Sequence, residues 1–303
     1  MVDYKEFVET LMSEINAETG LRTEFHEADE KIPRDGIWVY ISEDENGSHV
    51  LRLLTMESYR KWKLKEVTFH ELVQTVRQSA EDFHNTGVSV KMKQLKNYNL
   101  IKNSLFIRLL NIERNKEELK DSFYRKIGDI ALVLYVKIAD EGNVLVSSKV
   151  PLRYIEDWKL NEQDVFMDAL RNTESMTPPR AYNLFKMVQN PDYEGDNIYD
   201  PDYIPGKNEA GNCLSTNLKT NGAVAIFFPS VASMFCRKME TDEIYLSFTS
   251  IHEVMIHNAE CMEPEDLKSI LEDTIKKATP VEDRLTGHIY HYSLKTDRIE
   301  MLL

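Results

Sequence analysis

IGDIALVLYVKI, Ile127 to Ile138, is the longest apolar run of the 303-residue chain, interrupted only by Gly128, Asp129 and Lys137. It falls well short of the roughly 20 apolar residues that a membrane-crossing helix needs. Its length and β-branched content read as a buried strand. The neighbouring segments set the connectivity. Upstream, Leu105, Ile107 and Leu109 alternate with Phe106 and Arg108 across Ser104 to Ile112, the period of two that marks a strand. A polar crossing, Glu113 to Ser122, separates the two. Downstream, Asp140-Glu141-Gly142-Asn143 turns the chain back into Val144 to Ser147. The expected class is α+β, with two lobes, the larger C-terminal one a mostly antiparallel sheet packed with helices.

Working outward, Tyr4, Phe7, Val8, Leu11, Met12 and Ile15 place one apolar stripe on a helix. Ile37, Val39 and Ile41 mark a strand that Glu45-Asn46-Gly47-Ser48 turns into Val50 to Leu53. Thr68 opens a second helix, with Glu71 where a capping-box acid belongs. This N-terminal α+β lobe spans 1–95, and the C-terminal lobe 96–303. In the latter, Leu152 to Trp158 and Gln163 to Leu170 read as helices, Asn161 capping the second. Pro178-Pro179 ends that pattern, and a short helix is expected over Arg180 to Val188. After an irregular stretch the pattern predicts a strand at Ala223 to Phe228, a helix at Val231 to Met239, and strands at Ile244 to Phe248 and His252 to His257. A helix from Pro264 to Lys277 follows, then a hairpin of Gly287 to Tyr292 with Arg298 to Leu302.

The formal charge is -14, from 51 acidic and 37 basic side chains. That balance argues against a nucleic-acid partner, since phosphate binding needs clustered Lys and Arg. Lys91, Lys93, Lys96 and Lys102, interleaved with Tyr98, form the one basic cluster and read as a solvated connection between lobes rather than a stacking surface. The acidic N-terminal stretch is no signal peptide. Cys213, Cys236 and Cys261 are widely spaced, without a CxxC pair, which favours reduced thiols and a cytoplasmic location.

No motif implies a cofactor. His252-Glu253-Val254-Met255-Ile256-His257 is one residue too long for the HExxH zinc helix, and on a strand an odd separation turns the two imidazoles to opposite faces, so no metal site is expected. The stretch Asn190 to Gly211 carries Asp192, Glu194, Asp196, Asp200 and Asp202, with three prolines and the tyrosines Tyr193, Tyr199 and Tyr203 to anchor it. Its spacing fails the calcium-loop pattern, and its acids are a candidate surface for a protein partner. The other candidate is a ligand site at strand ends: Asn217, Asn221, Ser250, His252 and Glu253, with His252 as general base oriented by Glu253 if the site is catalytic. Turn formation and strand termination explain the same residues without a ligand.

FIRLLNIERNKEEL from Phe106, YRKIGDIALVLYVKI from Tyr124, LNEQDVFMDALRNT from Leu160, LSTNLKTNGAVAIFFPSV from Leu214, EIYLSFTSIHEVMI from Glu243 and PVEDRLTGHIYHYSLKTDRI from Pro280 together resemble domain-of-unknown-function family 5688. The resemblance covers most of the chain and implies a bacterial cytoplasmic setting, in Gram-positive gut species, without implying an activity. Where that family usually has proline-serine-serine before Ile-His-Glu, this chain has Phe248-Thr249-Ser250. The leading expectation is a non-catalytic binding or regulatory protein, linked to mobile elements or defence. The alternatives are an enzyme or small-ligand binder at the strand-end cluster, and an acidic nucleic-acid mimic.

Overall fold

The computed structural model describes residues 3–28, 35–44, 47–85, 94–141, 144–190, 193–206 and 211–303. The chain divides into two units, Met1–Lys93 and Gln94–Leu303.

In the first unit, Asp3 caps a helix over Tyr4–Thr19 by accepting from the Glu6 N–H at 2.8 Å. Its stripe of Phe7, Val8, Leu11 and Ile15 packs with Ile37, Val39, Leu72, Val73 and Val76. Three antiparallel strands, β1 (Arg22–His26), β2 (Gly36–Asp44) and β3 (Gly47–Leu54), form the sheet in that order. Residues Glu45 and Asn46 of the expected turn lie outside the described residues. The capping box ahead of the Phe69–Asn85 helix is present: the Thr68 N–H donates to Glu71 Oε2 at 2.8 Å, and the Glu71 N–H to Thr68 Oγ1 at 3.2 Å. Strand β1 and a helix over Thr55–Lys63 have no counterpart in the sequence reading, being short and rich in polar residues.

The second unit contains two sheets. In one, the long β6 (Ile130–Glu141) is central. It pairs along one edge with β4 (Leu105–Asn111) and along the other with β5 (Tyr124–Ile127) and then β7 (Val144–Lys149). The run that begins at Ile127 is therefore not one strand but the end of a hairpin, turned at Gly128-Asp129, because Gly128 adopts φ +57°, which favours glycine. The Leu152–Trp158 helix and the Glu162–Met176 helix follow, the latter capped by Asn161 through the Gln163 N–H at 2.8 Å.

The other sheet has seven strands, all antiparallel, in the order β14-β13-β11-β12-β10-β8-β9. They are β8 (Pro179–Tyr182), β9 (Asp196–Asn197), β10 (Asn212–Thr216), β11 (Glu243–Ser247), β12 (Val254–Asn258), β13 (Ile289–Ser293) and β14 (Arg298–Met301). Helices cover Val231–Met239 and Pro264–Ala278 as expected.

Three further expectations are corrected. Arg180 to Tyr182 is strand, recruited by pairing with β10, and the helix begins only at Leu184. Ala223 to Phe228 is no strand: Gly222–Phe227 is a 3₁₀ helix, buried over Gly222 to Ile226, and so short an apolar run carries no period to separate the two. Finally, β12 starts at Val254, so His252 and Glu253 belong to the preceding loop.

Tyr290, fully buried in β13, joins the two sheets. Its hydroxyl donates to Asp129 Oδ1 at 2.6 Å and accepts from the Asp129 N–H at 3.1 Å. A Cβ on Gly128 would stand 2.5 Å from that hydroxyl and 2.7 Å from Met301 Cβ. Gly128→Ala combines this clash with an unfavourable φ, and it should cost about 2–4 kcal/mol in equilibrium urea denaturation.

Candidate functional site

Alternation along β12 sends Met255 and His257 to one face of the seven-stranded sheet, where Glu253 of the preceding loop joins them, and Val254 and Ile256 to the other, where they are buried in the core. Register brings Cys213 of β10 and Ser247 of β11 opposite Met255. These side chains and Ser215 floor a cavity of about 590 Å³, roofed by Leu267, Ile270, Leu271 and Thr274 of the Pro264–Ala278 helix. Met187, Met255 and Met262 line it, and Ser250, His252 and Asp283 stand on its wall.

Of the residues expected at a site, Ser250, His252 and Glu253 thus line one cavity. Asn221 acts through its backbone, and Asn217 is an exposed turn residue after β10 that takes no part in the lining. The loop Thr249 to Glu253 is tightly held. Ser250 Oγ accepts from the His252 N–H at 3.0 Å, Ser215 Oγ donates to the His252 carbonyl at 2.7 Å, and the Ala223 and Ile251 N–H groups bond the Ile251 and Asp283 carbonyls at 3.2 and 2.8 Å. Gly222 makes the crossing possible: a Cβ there would collide with Ser215 Oγ and lie 2.7 Å from the His252 carbonyl oxygen.

The His252 ring is hydrogen-bonded at Nδ1 and has a carboxylate beside Nε2. Its Nδ1 accepts the Asn221 N–H at 3.0 Å, so the neutral ring carries its proton on Nε2, which faces Asp283 Oδ1 at 3.3 Å. Asp283, not Glu253, orients this imidazole. The Glu253 carboxylate instead accepts from the Thr249 hydroxyl at 2.9 Å. No lone pair of His252 is left to take a substrate proton while the Asn221 bond stands. Burial, with the Glu253 charge adding to it, pushes the Cys213 thiol up to about 12, so it stays protonated at neutral pH and is a poor nucleophile.

Two polar side chains on the lining are buried without satisfaction. Ser247 is 4% exposed and His257 7%, and Ser247 Oγ and His257 Nδ1 find no hydrogen-bond partner among the described residues. Burial lowers His257 to about 4, which keeps it neutral. Cys213, Ser247, His257 and Asp283 were not singled out as ligand-site residues in the sequence. The partial signal was alternation along β12, obscured by starting that strand at His252.

The acidic stretch is partly internalised. Asp192 lies outside the described residues. Asp196 pairs with Lys186 at 3.0 Å, and Asp200 accepts from the Asp202 N–H at 2.9 Å, while Glu194, Asp200 and Asp202 are exposed. The tyrosines anchor it: Tyr193 packs edge-on against Tyr182, Tyr203 against Phe235, and the Tyr199 hydroxyl bonds Glu174. In the basic cluster, Lys91 and Lys93 lie outside the described residues. Tyr98 packs on Trp158 and donates to Asp168 at 2.8 Å, so its ring offers no open stacking platform. Among the described residues, no three His, Cys, Asp or Glu side chains gather as a metal site, and no helix is long and apolar enough to cross a membrane.

His257 supplies a pH test. Its folded pKa of about 4 lies below the ordinary value of 6.5. Between those values the unfolded chain binds a proton that the folded chain refuses. The contribution to stability is therefore complete above the unfolded pKa and lost as pH falls toward the folded one, by about 3 kcal/mol in all. Urea midpoints measured from neutral pH down toward the folded pKa should fall less steeply in His257→Gln than in the unsubstituted protein.

No curated protein and no solved structure gives a significant match to this chain. A family model does, over residues 4–294, a span that includes every residue of the cavity. The chain belongs to that family, DUF5688, a family of unknown function.

Proposed function

We propose that this protein binds a small, mainly apolar molecule in the cavity between the β10-β12-β11 face and the Pro264–Ala278 helix. The observation that carries this reading is the pair Ser247 and His257, each more than nine-tenths buried on the lining of an otherwise largely aliphatic and methionine-walled cavity, with a polar atom that has no partner among the described residues. An unsatisfied buried polar group costs about 1–3 kcal/mol. A ligand that supplies a complementary group recovers part of that cost. Cavities of this size, apolar with a few convergent polar groups, are the usual form of small-molecule sites.

The lining chemistry favours binding over turnover. The His252 Nδ1 lone pair is taken by the Asn221 N–H, and burial keeps the Cys213 thiol protonated. Backbone geometry beside the cavity adds support, because Lys219 and Asn221 both hold positive φ, at +57° and +52°. Strain of this kind gathers at ligand sites. Such a binder suits regulation or carriage. The acidic stretch lends less support to a protein partner, since Asp196 and Asp200 are drawn into internal bonds.

Nile red, a neutral apolar dye, tests the reading. It should bind saturably with a fluorescence increase, and Ile270→Trp and Thr274→Trp, which place bulk on the roof, should each weaken binding at least about tenfold, or 1.4 kcal/mol. Absence of saturable binding, or binding indifferent to both substitutions, would remove the proposal.

A further inference from the structure

We infer that the molecule this cavity takes is an arylalkyl amine, its ammonium group seated on Glu253 and its aromatic body among the methionines. The inference rests on the small-molecule reading above and names the chemistry of its ligand.

The charged and titratable side chains facing the cavity are Lys219, Glu253, Asp283, His252, His257, Cys213 and Tyr182, the last a neutral phenol donating to the Thr216 carbonyl at 3.0 Å. All but one are already satisfied or neutral. Lys219 Nζ donates to the Tyr193 carbonyl at 3.3 Å and lies 5.3 Å from the centre of the Tyr182 ring, which is where its charge is directed. Asp283 Oδ1 has the His252 ring beside it, 3.3 Å from Nε2. His257 is neutral because it is buried, and the Cys213 thiol keeps its proton for the same reason. Glu253 remains. Its one hydrogen-bond donor among the described residues is the neutral Thr249 hydroxyl on Oε1, and no cation is paired with it there. With one lysine against two carboxylates, the lining carries a net negative formal charge. An anionic ligand would meet that charge unfavourably, and a neutral one would leave Glu253 with a single neutral donor. An ammonium group brings both the charge and the two or three N–H donors that a carboxylate accepts most strongly.

The apolar part of the ligand follows from the walls. Met187, Met255 and Met262 present thioethers around the cavity. Sulfur–aromatic contacts are favourable, and the flexible methionine side chain adapts to flat rings. A volume of about 590 Å³ is ample for a two-ring body with a short alkyl tether. Ser247 and His257, deeper on the sheet, offer a hydroxyl and a neutral imidazole to a ring N–H or hydroxyl at the far end.

Tryptamine, tryptophol and indolepropionate share one aromatic body and differ in the charge of the end group. In competition with Nile red, tryptamine should displace the dye at a concentration at least about tenfold lower than tryptophol, and indolepropionate should be the weakest of the three. Glu253→Gln should bring tryptamine and tryptophol to within about threefold of each other. Glu300→Gln, an exposed acid on β14 outside the cavity, should preserve the preference. A preference for tryptophol or indolepropionate, or no preference, overturns the amine assignment, as does a preference that survives in Glu253→Gln. The unsubstituted protein's ratio decides the matter even if Glu253→Gln does not fold. If Nile red binds and none of the three competes, the cavity reading stands and the amine assignment falls. If Nile red does not bind, the cavity reading falls and the amine assignment, which rests on it, falls with it.

Discussion

The close passage of Gly222 against β10 and the His252 carbonyl is the contact on which the cavity wall depends. Two chain segments meet there with no room for a Cβ, and the approach aligns the Asn221 N–H with His252 Nδ1 and the Ala223 N–H with the Ile251 carbonyl. The loop Thr249 to Glu253 thereby gains partners from three separate segments: β10 through Ser215, the turn at Asn221 to Ala223, and the stretch around Asp283. A loop satisfied in this way is a rigid support, and rigidity is what a binding site needs if ordering its own side chains is not to offset the gain from contact.

A second constraint fixes how the two sheets of the larger unit meet. The turn Gly128-Asp129 projects from the β5-β6 hairpin into the ring end of Tyr290, while Asn111 of β4 bonds both Asp129 and the Leu285 carbonyl at 3.1 and 2.8 Å. His288, which has no partner evident from its spacing in the chain, pairs with Asp129 at 3.3 Å as part of the same joint. A tyrosine hydroxyl, an amide and an imidazole converging on one carboxylate satisfy a polar cluster that would otherwise be costly at a buried junction. This joint has the residue types of an acid–base site, yet its bonds are directed at one another, which gives it a structural account.

The cavity itself combines two opposing tendencies. Its floor is a sheet face whose alternate residues turn away into a core of Leu214, Leu246, Val254 and Ile256. The residues left facing the helix are more polar than a core face requires: a thiol, two hydroxyls, an imidazole and a carboxylate. Filling those positions with aliphatic side chains would bury more apolar area against the Pro264–Ala278 helix and stabilise the fold. Polar side chains at such positions cost stability, and a local departure of that kind supports the binding reading proposed above.

The sequence by itself determined much of the local structure. Caps at Asp3, Thr68 and Asn161 and the apolar stripe of the first helix are interactions between near neighbours, and near neighbours are legible from spacing. The turn expected between β6 and β7 was legible for the same reason, since the two strands are near neighbours in the chain. Ser250, His252 and Glu253 were legible as a polar group at a strand end, and they do share a cavity. What they do there was not legible. That Asp283 rather than Glu253 lies beside His252, that Cys213 and Ser247 stand across from Met255, and that Gly222–Phe227 is a 3₁₀ helix rather than a strand all depend on segments that meet only after the chain has closed. Those pairings are set by sheet register and by the absence of a side chain at Gly222, and neither leaves a periodic trace along the chain. Tertiary structure decided them because the deciding contacts join residues that the sequence keeps far apart.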